Sequence, residues 1–184
     1  QEDQSTALQL LKKCASRWSK EQYFDAFNQV QEYIKAGDCY QINLTQEFKA
    51  TAQGTLLSKA EELWQLTHAP YAGYLKLDDF ELLSCSPELF IEFQHERKIK
   101  TRPIKGTMPR FDDPKQDQAS KAKLSNSEKD QAENVMIVDL LRNDLSVYAE
   151  TGSVKTTKLF EIESFNQVHH MVSEITATLK QDVN

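Results

Sequence analysis

The chain is poor in cysteine and glycine, and both absences exclude classes of protein. Its three cysteines, Cys14, Cys39 and Cys85, are odd in number and show no CxxC spacing. This argues against a disulfide framework and against a zinc site, and it predicts a protein of the reducing cytoplasm. The five glycines are scattered, so there is no glycine-rich phosphate loop, and the HExxH pattern of zinc proteases is also missing.

Long apolar runs and positive charge are lacking as well. No run approaches the roughly 18 apolar residues of a membrane-spanning helix, and no signal-peptide pattern opens the chain. The net charge of −6 disfavours nucleic acid and anionic membranes as partners. The 184 residues are 39% hydrophobic and 27% charged, which fits one soluble globular unit with a core. Because the chain opens on Gln1 rather than methionine and closes on the polar KQDVN, we expect a piece of a longer protein.

Helical patterns begin after a lead-in formed by residues 1–18. Ser19 and Gln22 form a capping-box pattern ahead of apolar residues at helical spacing, and Gly37 is a typical residue at the end of such a helix. A second helix is expected over about residues 55–67, where leucines recur on one side.

A third helix is predicted in the second half of the chain. Residues 109–120 are rich in proline, aspartate and glutamine, and we interpret them as a loop. Ser125 with Glu128 is another capping-box pattern, which predicts a helix that runs to about Asn143. The expected apolar face of this helix consists of Ala132, Val135, Met136 and Leu140.

Strand patterns fill most of the remaining sequence. The clearest is CYQINLTQEF, in which apolar and polar residues alternate strictly. Two hairpins follow, one over residues 71–84 with its turn at Asp78-Asp79, and one that joins LFIEF to KIKT through the polar QHER. SVKTTKLFEIESF and VHHMVSEITATL are two further predicted strands. Hairpins mixed with separated helices indicate an α+β fold.

Lys105 lies in the segment TRPIKGTMPR, between two prolines and directly before Gly106, so its backbone is unusually constrained. A lysine becomes a nucleophile only when its amine is neutral, which requires burial or nearby positive charge. Lys100, Arg102 and Arg110 are close in sequence and could instead hold an anionic substrate. A lysine that binds a carboxylate or caps a loop is the structural alternative.

Glu88 follows Ser86-Pro87, at the start of a predicted strand that leads through a hairpin towards Lys105. A carboxylic acid beside an amine is what an acid-assisted displacement requires, because one group attacks while the other protonates the leaving oxygen. The residue types alone favour the alternative, a solvated glutamate at a strand end.

Asp130 and Glu133 are three residues apart on the predicted third helix and therefore share a face. They could hold Mg²⁺ directly and through water, although two carboxylates are too few for a specific site made by protein alone. A solvated acidic first turn, favoured by the helix dipole, is the alternative.

His169 and His170 are adjacent on a predicted strand, so they point to opposite faces and are poorly placed to share a metal. His170 could bond to a substrate hydroxyl, and a satisfied structural histidine is the default for either residue. The face that His169 is expected to share also carries Met171, Ile175 and Ala177.

Five segments together resemble the chorismate-utilising enzymes. They are GDCYQINLTQEF, SCSPELF, TRPIKGTMPR, EKDQAENVMIVDLLRNDL and SFNQVHHMVSEI, and they follow that family's order across residues 37–175. Each is weak alone, but five in order are specific. The resemblance implies the chorismate-binding fold shared with anthranilate synthases, an α+β arrangement of antiparallel sheets with flanking helices. Residues 19–184 would be the N-terminal part of its catalytic domain.

The resemblance also implies a reaction. Anthranilate-forming relatives carry alanine where PIKGT has lysine, so Lys105 indicates the branch that makes 4-amino-4-deoxychorismate for p-aminobenzoate and folate. In that branch the lysine attacks C2 of chorismate, and ammonia from a glutamine amidotransferase subunit then adds at C4. The site residues that the resemblance implies are Lys105 as nucleophile, Glu88 as general acid–base, His170, Thr107 and Gly106 for substrate, and Glu133 with Asp130 for Mg²⁺.

One departure from the family bears on this chain by itself. The GSITGAPK-like segment and the further metal-binding glutamates of the family do not occur before Asn184. We therefore expect the chain alone to bind chorismate weakly and to turn over little or none. Two alternatives remain open, anthranilate synthesis and a non-catalytic fragment that docks a partner subunit.

Overall fold

The computed structural model describes residues 6–183, which divide into two compact units, one ending at Glu61 and the other beginning at Glu62. Within these residues no helix combines the length and apolar character that crossing a bilayer requires. Single 3₁₀ turns lie at Leu56–Lys59 and at His95–Arg97. The helices of the described residues are α1 (Lys20–Ala36), α2 (Ala60–Thr67), α3 (Pro114–Ser125) and α4 (Glu128–Tyr148).

All pairings between the strands are antiparallel, as expected for the α+β fold. The strands of the first unit are β1 (Gln9–Leu10), β2 (Ala15–Ser16), β3 (Phe48–Lys49) and β4 (Ala52–Gln53). Those of the second are β5 (Tyr71–Lys76), β6 (Glu81–Ser86), β7 (Leu89–Phe93), β8 (Lys98–Arg102), β9 (Ile104–Pro109), β10 (Lys155–Ser164) and β11 (Val168–Thr178).

In the first unit, helix α1 follows its local signals. The Ser19 hydroxyl accepts from the Gln22 N–H, and the Gln22 side chain accepts from the Ser19 N–H, so the predicted capping box is confirmed. Gly37 ends the helix in the left-handed conformation at φ 80°. Of the predicted lead-in, residues 1–5 lie outside the described residues, and the rest contains β1 and β2.

The strand predicted over CYQINLTQEF is wrong. Residues 39–46 pair with no strand within the described part of the chain, and only Phe48–Lys49 forms a short strand with β2. Tyr40 is 74% exposed and Phe48 is 64% exposed, so the two aromatic residues of the predicted apolar side face solvent, while Leu44 is half-buried. Alternation describes a strand that is half-buried, but the backbone becomes a strand only where a neighbour supplies hydrogen bonds.

The second unit is built around β11. This strand pairs with β10 on one side and with β8 and β9 on the other, and β7 extends the sheet from β8. The hairpin β5–β6 forms a separate two-stranded sheet. Both hairpins predicted from the sequence, and both long strands that follow α4, are therefore confirmed.

The loop predicted over residues 109–120 is wrong, because helix α3 begins at Pro114. Asp113 caps this helix, since its carboxylate accepts from the N–H groups of Lys115 and Gln116 at 2.9 Å each. Proline fits the first turn of a helix, where its missing N–H leaves no bond unmade. Asp113 and Pro114 together therefore mark the start of helix α3, although the surrounding segment is rich in residues typical of loops.

Helix α4 packs on β11 and closes the core, but its predicted apolar face is wrong. The buried side carries Asn134, Val138 and Leu145, and they pack over a core that includes Ile99 and Ile175. Its N-cap is Ser127 rather than the predicted residue, because Ser125 is the last residue of α3. The predicted face is exposed, 38–48% for its three large members: Val135, Met136 and Leu140.

Candidate active site

Lys105 lies on β9 at an irregularity in the pairing with β11. Ile104 faces Val172, and Thr107 faces His170. Two residues of β9, Lys105 and Gly106, therefore lie opposite one residue of β11 between these pairs. An extra residue of this kind is a β-bulge, which bends the strand and redirects a side chain, often next to a functional site.

Gly106 supplies the backbone conformation that the bulge requires. Its φ is +82°, a left-handed value that side chains rarely adopt. A methyl group at this position would lie 2.9 Å from Cβ and Cγ of Asp130 and 2.9 Å from Cδ1 of Leu124. Gly106 therefore allows the left-handed backbone of the bulge, and it lets Leu124 of α3 and Asp130 of α4 lie close to β9.

Glu88 contacts the first residue of the same strand, β9. The Ser86 hydroxyl accepts from the Glu88 N–H at 3.2 Å and donates to the Glu88 carbonyl at 3.0 Å, which shapes the turn between β6 and β7. The Glu88 carboxylate then accepts from the Ile104 N–H at 2.8 Å. This bond places an exposed carboxylate beside the residue that precedes Lys105.

His170 lies across from the bulge and bonds to it. Its Nδ1 is 2.9 Å from the Thr107 hydroxyl, and the edge of its ring meets the Phe165 ring at 5.4 Å between centroids. Burial lowers the pKa of His170, while a hydrogen bond to the Gly106 backbone and the charges of Glu88 and Glu163 oppose that change. A neutral imidazole can bond to a hydroxyl at either nitrogen.

Lys105 is half-buried, and among residues 6–183 its amine makes no hydrogen bond or ion pair. The neighbouring cations differ, because each is paired with a carboxylate: Lys100 with Glu92, Arg102 with Glu163 and Glu174, and Arg110 with Asp117. The suggestion that these three cations hold an anionic substrate therefore finds no support, and Lys105 differs from them in having no such carboxylate partner within residues 6–183.

The two predicted metal ligands are placed differently. Asp130 lies against Gly106, while Glu133, one turn later on α4, is 3.9 Å from Lys129. Carboxylate oxygens suit Mg²⁺. However, the described residues contain no group of three or more His, Cys, Asp or Glu that could hold a metal ion. Residues 6–183 therefore hold at most part of a ligand set for a metal ion.

A cavity of about 180 Å³ opens next to His170. The sequence did not single out its Phe165 and Cys85 walls, since an aromatic residue in a turn and a lone cysteine carry no specific signal. The residues that line the cavity are Thr67, Ala69, Cys85, Pro87, Phe165, Gln167, Val168 and His170.

The chain as a whole is similar to known proteins. The model of the family described as chorismate binding enzyme matches residues 1–184. The chain belongs to that family. Its sequence is 49% identical over 169 residues to aminodeoxychorismate synthase component 1 of Escherichia coli, which covers 92% of this chain and 37% of that protein. The corresponding protein of Salmonella typhimurium is 45% identical over 179 residues, 97% of this chain and 39% of that protein.

A solved structure agrees on the fold of this family member. Anthranilate synthase component I from Streptococcus pneumoniae superimposes with a TM-score of 0.82 at 26% identity, over 100% of this chain and 39% of that one. The resemblance and the fold predicted from the five motifs are thus confirmed. The chain spans a little over a third of the length of the curated relatives it matches, 37% and 39%.

Proposed function

We propose that the whole protein containing this chain aminates chorismate at C4 and forms 4-amino-4-deoxychorismate. The observation that carries the proposal is the unpaired Lys105 amine on a β-bulge that Glu88 contacts on one side and His170 on the other. Relatives at 45–49% identity that bear the name aminodeoxychorismate synthase component 1 support it.

The proposed chemistry consists of two displacements. The Lys105 amine forms a bond to C2 of chorismate, the ring double bonds shift, and the C4–oxygen bond breaks. Glu88 protonates the departing hydroxyl, which leaves as water. Ammonia then forms a bond to C4, the ring double bonds shift back and the C2–nitrogen bond breaks. The new C4 ammonium gives a proton to Glu88, so that the lysine amine and the Glu88 acid are both regenerated. The sum is chorismate plus ammonia giving 4-amino-4-deoxychorismate plus water.

The remaining side chains have positioning roles in this proposal. His170 would bond to the C4 hydroxyl, and Thr107 holds the His170 ring. Glu133, with Asp130 in support, would supply some of the oxygen ligands for Mg²⁺ in the whole protein, where the ion would neutralise a substrate carboxylate. The three thiols are free, which fits the reducing cytoplasm. Because the relatives are named component 1, we also infer a partner, a glutamine amidotransferase that delivers ammonia.

Product identification tests the proposal. The full-length protein is supplied with chorismate, Mg²⁺ and ammonium, alongside Lys105→Ala and the control Lys98→Ala, which removes an exposed lysine paired with Glu96. We expect 4-amino-4-deoxychorismate from the unmodified protein and the control, and its loss or diversion to another product in Lys105→Ala. Anthranilate from the unmodified protein would mean that Lys105 only holds the substrate.

A further inference from the structure

A buried polar network lies on the opposite face of β11 from His170. The His169 side chain is 1% exposed, with Nδ1 at 2.8 Å from the Ser164 hydroxyl and Nε2 at 2.9 Å from Oδ1 of Asp117. Because a carboxylate only accepts hydrogen bonds, Nε2 of His169 carries the proton. The ring is thereby fixed in one orientation between β10 and helix α3.

The same oxygen of Asp117 accepts two further hydrogen bonds. Its Oδ1 also accepts from Nε of Arg110 at 2.8 Å and from the N–H of Phe111 at 3.1 Å. The Arg110 bond is the main cause that lowers the pKa of Asp117 to about 2, so the carboxylate is charged near neutral pH. Three donors thus converge on one atom, two from the neighbouring residues Arg110 and Phe111 and one from His169 on β11.

The network continues to the wall of the cavity through Arg110. Its Nη1 donates to the Phe165 carbonyl at 2.8 Å, and its backbone N–H donates to the Gln167 carbonyl at 3.0 Å. These bonds hold the turn between β10 and β11. That turn carries Phe165, whose ring contacts His170, and both residues line the cavity of about 180 Å³.

We propose that Asp117 is a positioning residue which, through Arg110 and His169, sets the Phe165–Gln167 turn against His170 and so shapes the substrate cavity. This inference rests on the proposed function for its kinetic consequence. Asp117 touches neither Lys105 nor His170, so it acts through the backbone bonds of Arg110 and the Phe165 ring. This role requires an oxygen that accepts hydrogen bonds at the position of Oδ1. The amide oxygen of asparagine at residue 117 can accept the same three bonds, whereas alanine cannot.

The test compares Asp117→Ala with the conservative Asp117→Asn in the full-length protein, with Asp112→Ala as the control for an exposed aspartate nearby. In Asp117→Ala the released turn exposes His170, so the pKa of His170, measured by NMR of labelled histidine, rises towards the ordinary histidine value because its burial is relieved. Displacing a cavity wall lowers kcat/KM for amination by roughly tenfold or more. Asp117→Asn retains most of the activity and the lowered pKa of His170, and the control matches the unmodified protein.

A second variant, Phe165→Ala, tests the contact between the Phe165 ring and His170. Phe165→Ala leaves the Asp117 bonds in place and removes only the ring, so the pKa of His170 rises as in Asp117→Ala even where that variant does not fold. An unchanged His170 pKa in either folded variant, or an Asp117→Asn protein as impaired as Asp117→Ala, overturns the proposal. The NMR titration needs no turnover, so a wrong product from the unmodified protein would refute the proposed function separately.

Discussion

Replacing Gly106 with alanine tests the structural account of the bulge that carries Lys105. The added methyl group meets two penalties. The first is the left-handed backbone at φ +82°, which costs a residue with a side chain about 1–2 kcal/mol. The second is the crowding against Asp130 and Leu124 at 2.9 Å, and forcing extra atoms into packed surroundings costs about 1–3 kcal/mol. Their sum predicts a loss of about 2–5 kcal/mol in unfolding free energy.

The chain supplies a matched control at Gly152. Its φ is +80°, nearly the same as that of Gly106, but a methyl group there would have nothing within 4 Å. Gly152→Ala should therefore lower the unfolding free energy only by the backbone cost of about 1–2 kcal/mol. The difference between the two variants isolates the contact of Gly106 with α3 and α4.

Urea unfolding of the full-length protein measures both effects. We expect a lower midpoint at an unchanged slope for each variant, with the larger shift for Gly106→Ala. If Gly106→Ala is no more destabilised than Gly152→Ala, then Asp130 and Leu124 do not press on the bulge. The close approach that we describe would then be wrong.

Two further predictions concern polar groups elsewhere in the second unit. Asn134→Ala removes the oxygen that accepts from the buried Ser173 hydroxyl at 2.5 Å, and this should lower the unfolding free energy by about 1–3 kcal/mol. Asn143→Ala on the exposed side of α4 should change it by no more than about 0.5 kcal/mol in urea unfolding. Because the folded pKa of Asp117 is about 2, below its ordinary 3.8, its stabilisation is present above pH 3.8 and is lost as the pH falls through 2. Thermal unfolding from pH 5 to 2 should therefore show a Tm advantage over Asp117→Asn that disappears in acid, and a constant difference would contradict this.

The predictions that succeeded rest on local interactions. The capping box at Ser19 and the end at Gly37 depend on atoms within a few residues, so helix α1 could be read from the sequence. The hairpins succeeded because a polar turn between two short apolar runs brings the strands together without help from distant segments.

The predictions that failed depended on distant partners. CYQINLTQEF has the alternation of a strand, but residues 39–46 have no pairing strand in the part of the chain that the structure describes. The buried side of α4 was misjudged because its key position is a polar residue, Asn134, which is buried by pairing with Ser173 on β11. A hydrophobic pattern cannot show such a pair, because its partner is far away in the sequence.

The sequence by itself determined the α+β class, most element positions and the family, since these depend on short-range periodicity and on motifs in a set order. It also singled out Lys105, Glu88 and His170 as residues able to do chemistry. Only the tertiary structure decided that they meet at one bulge, because that meeting depends on the register of β9 against β11. The same register explains the glycine after Lys105, since the atoms that exclude a side chain there belong to two helices further along the chain.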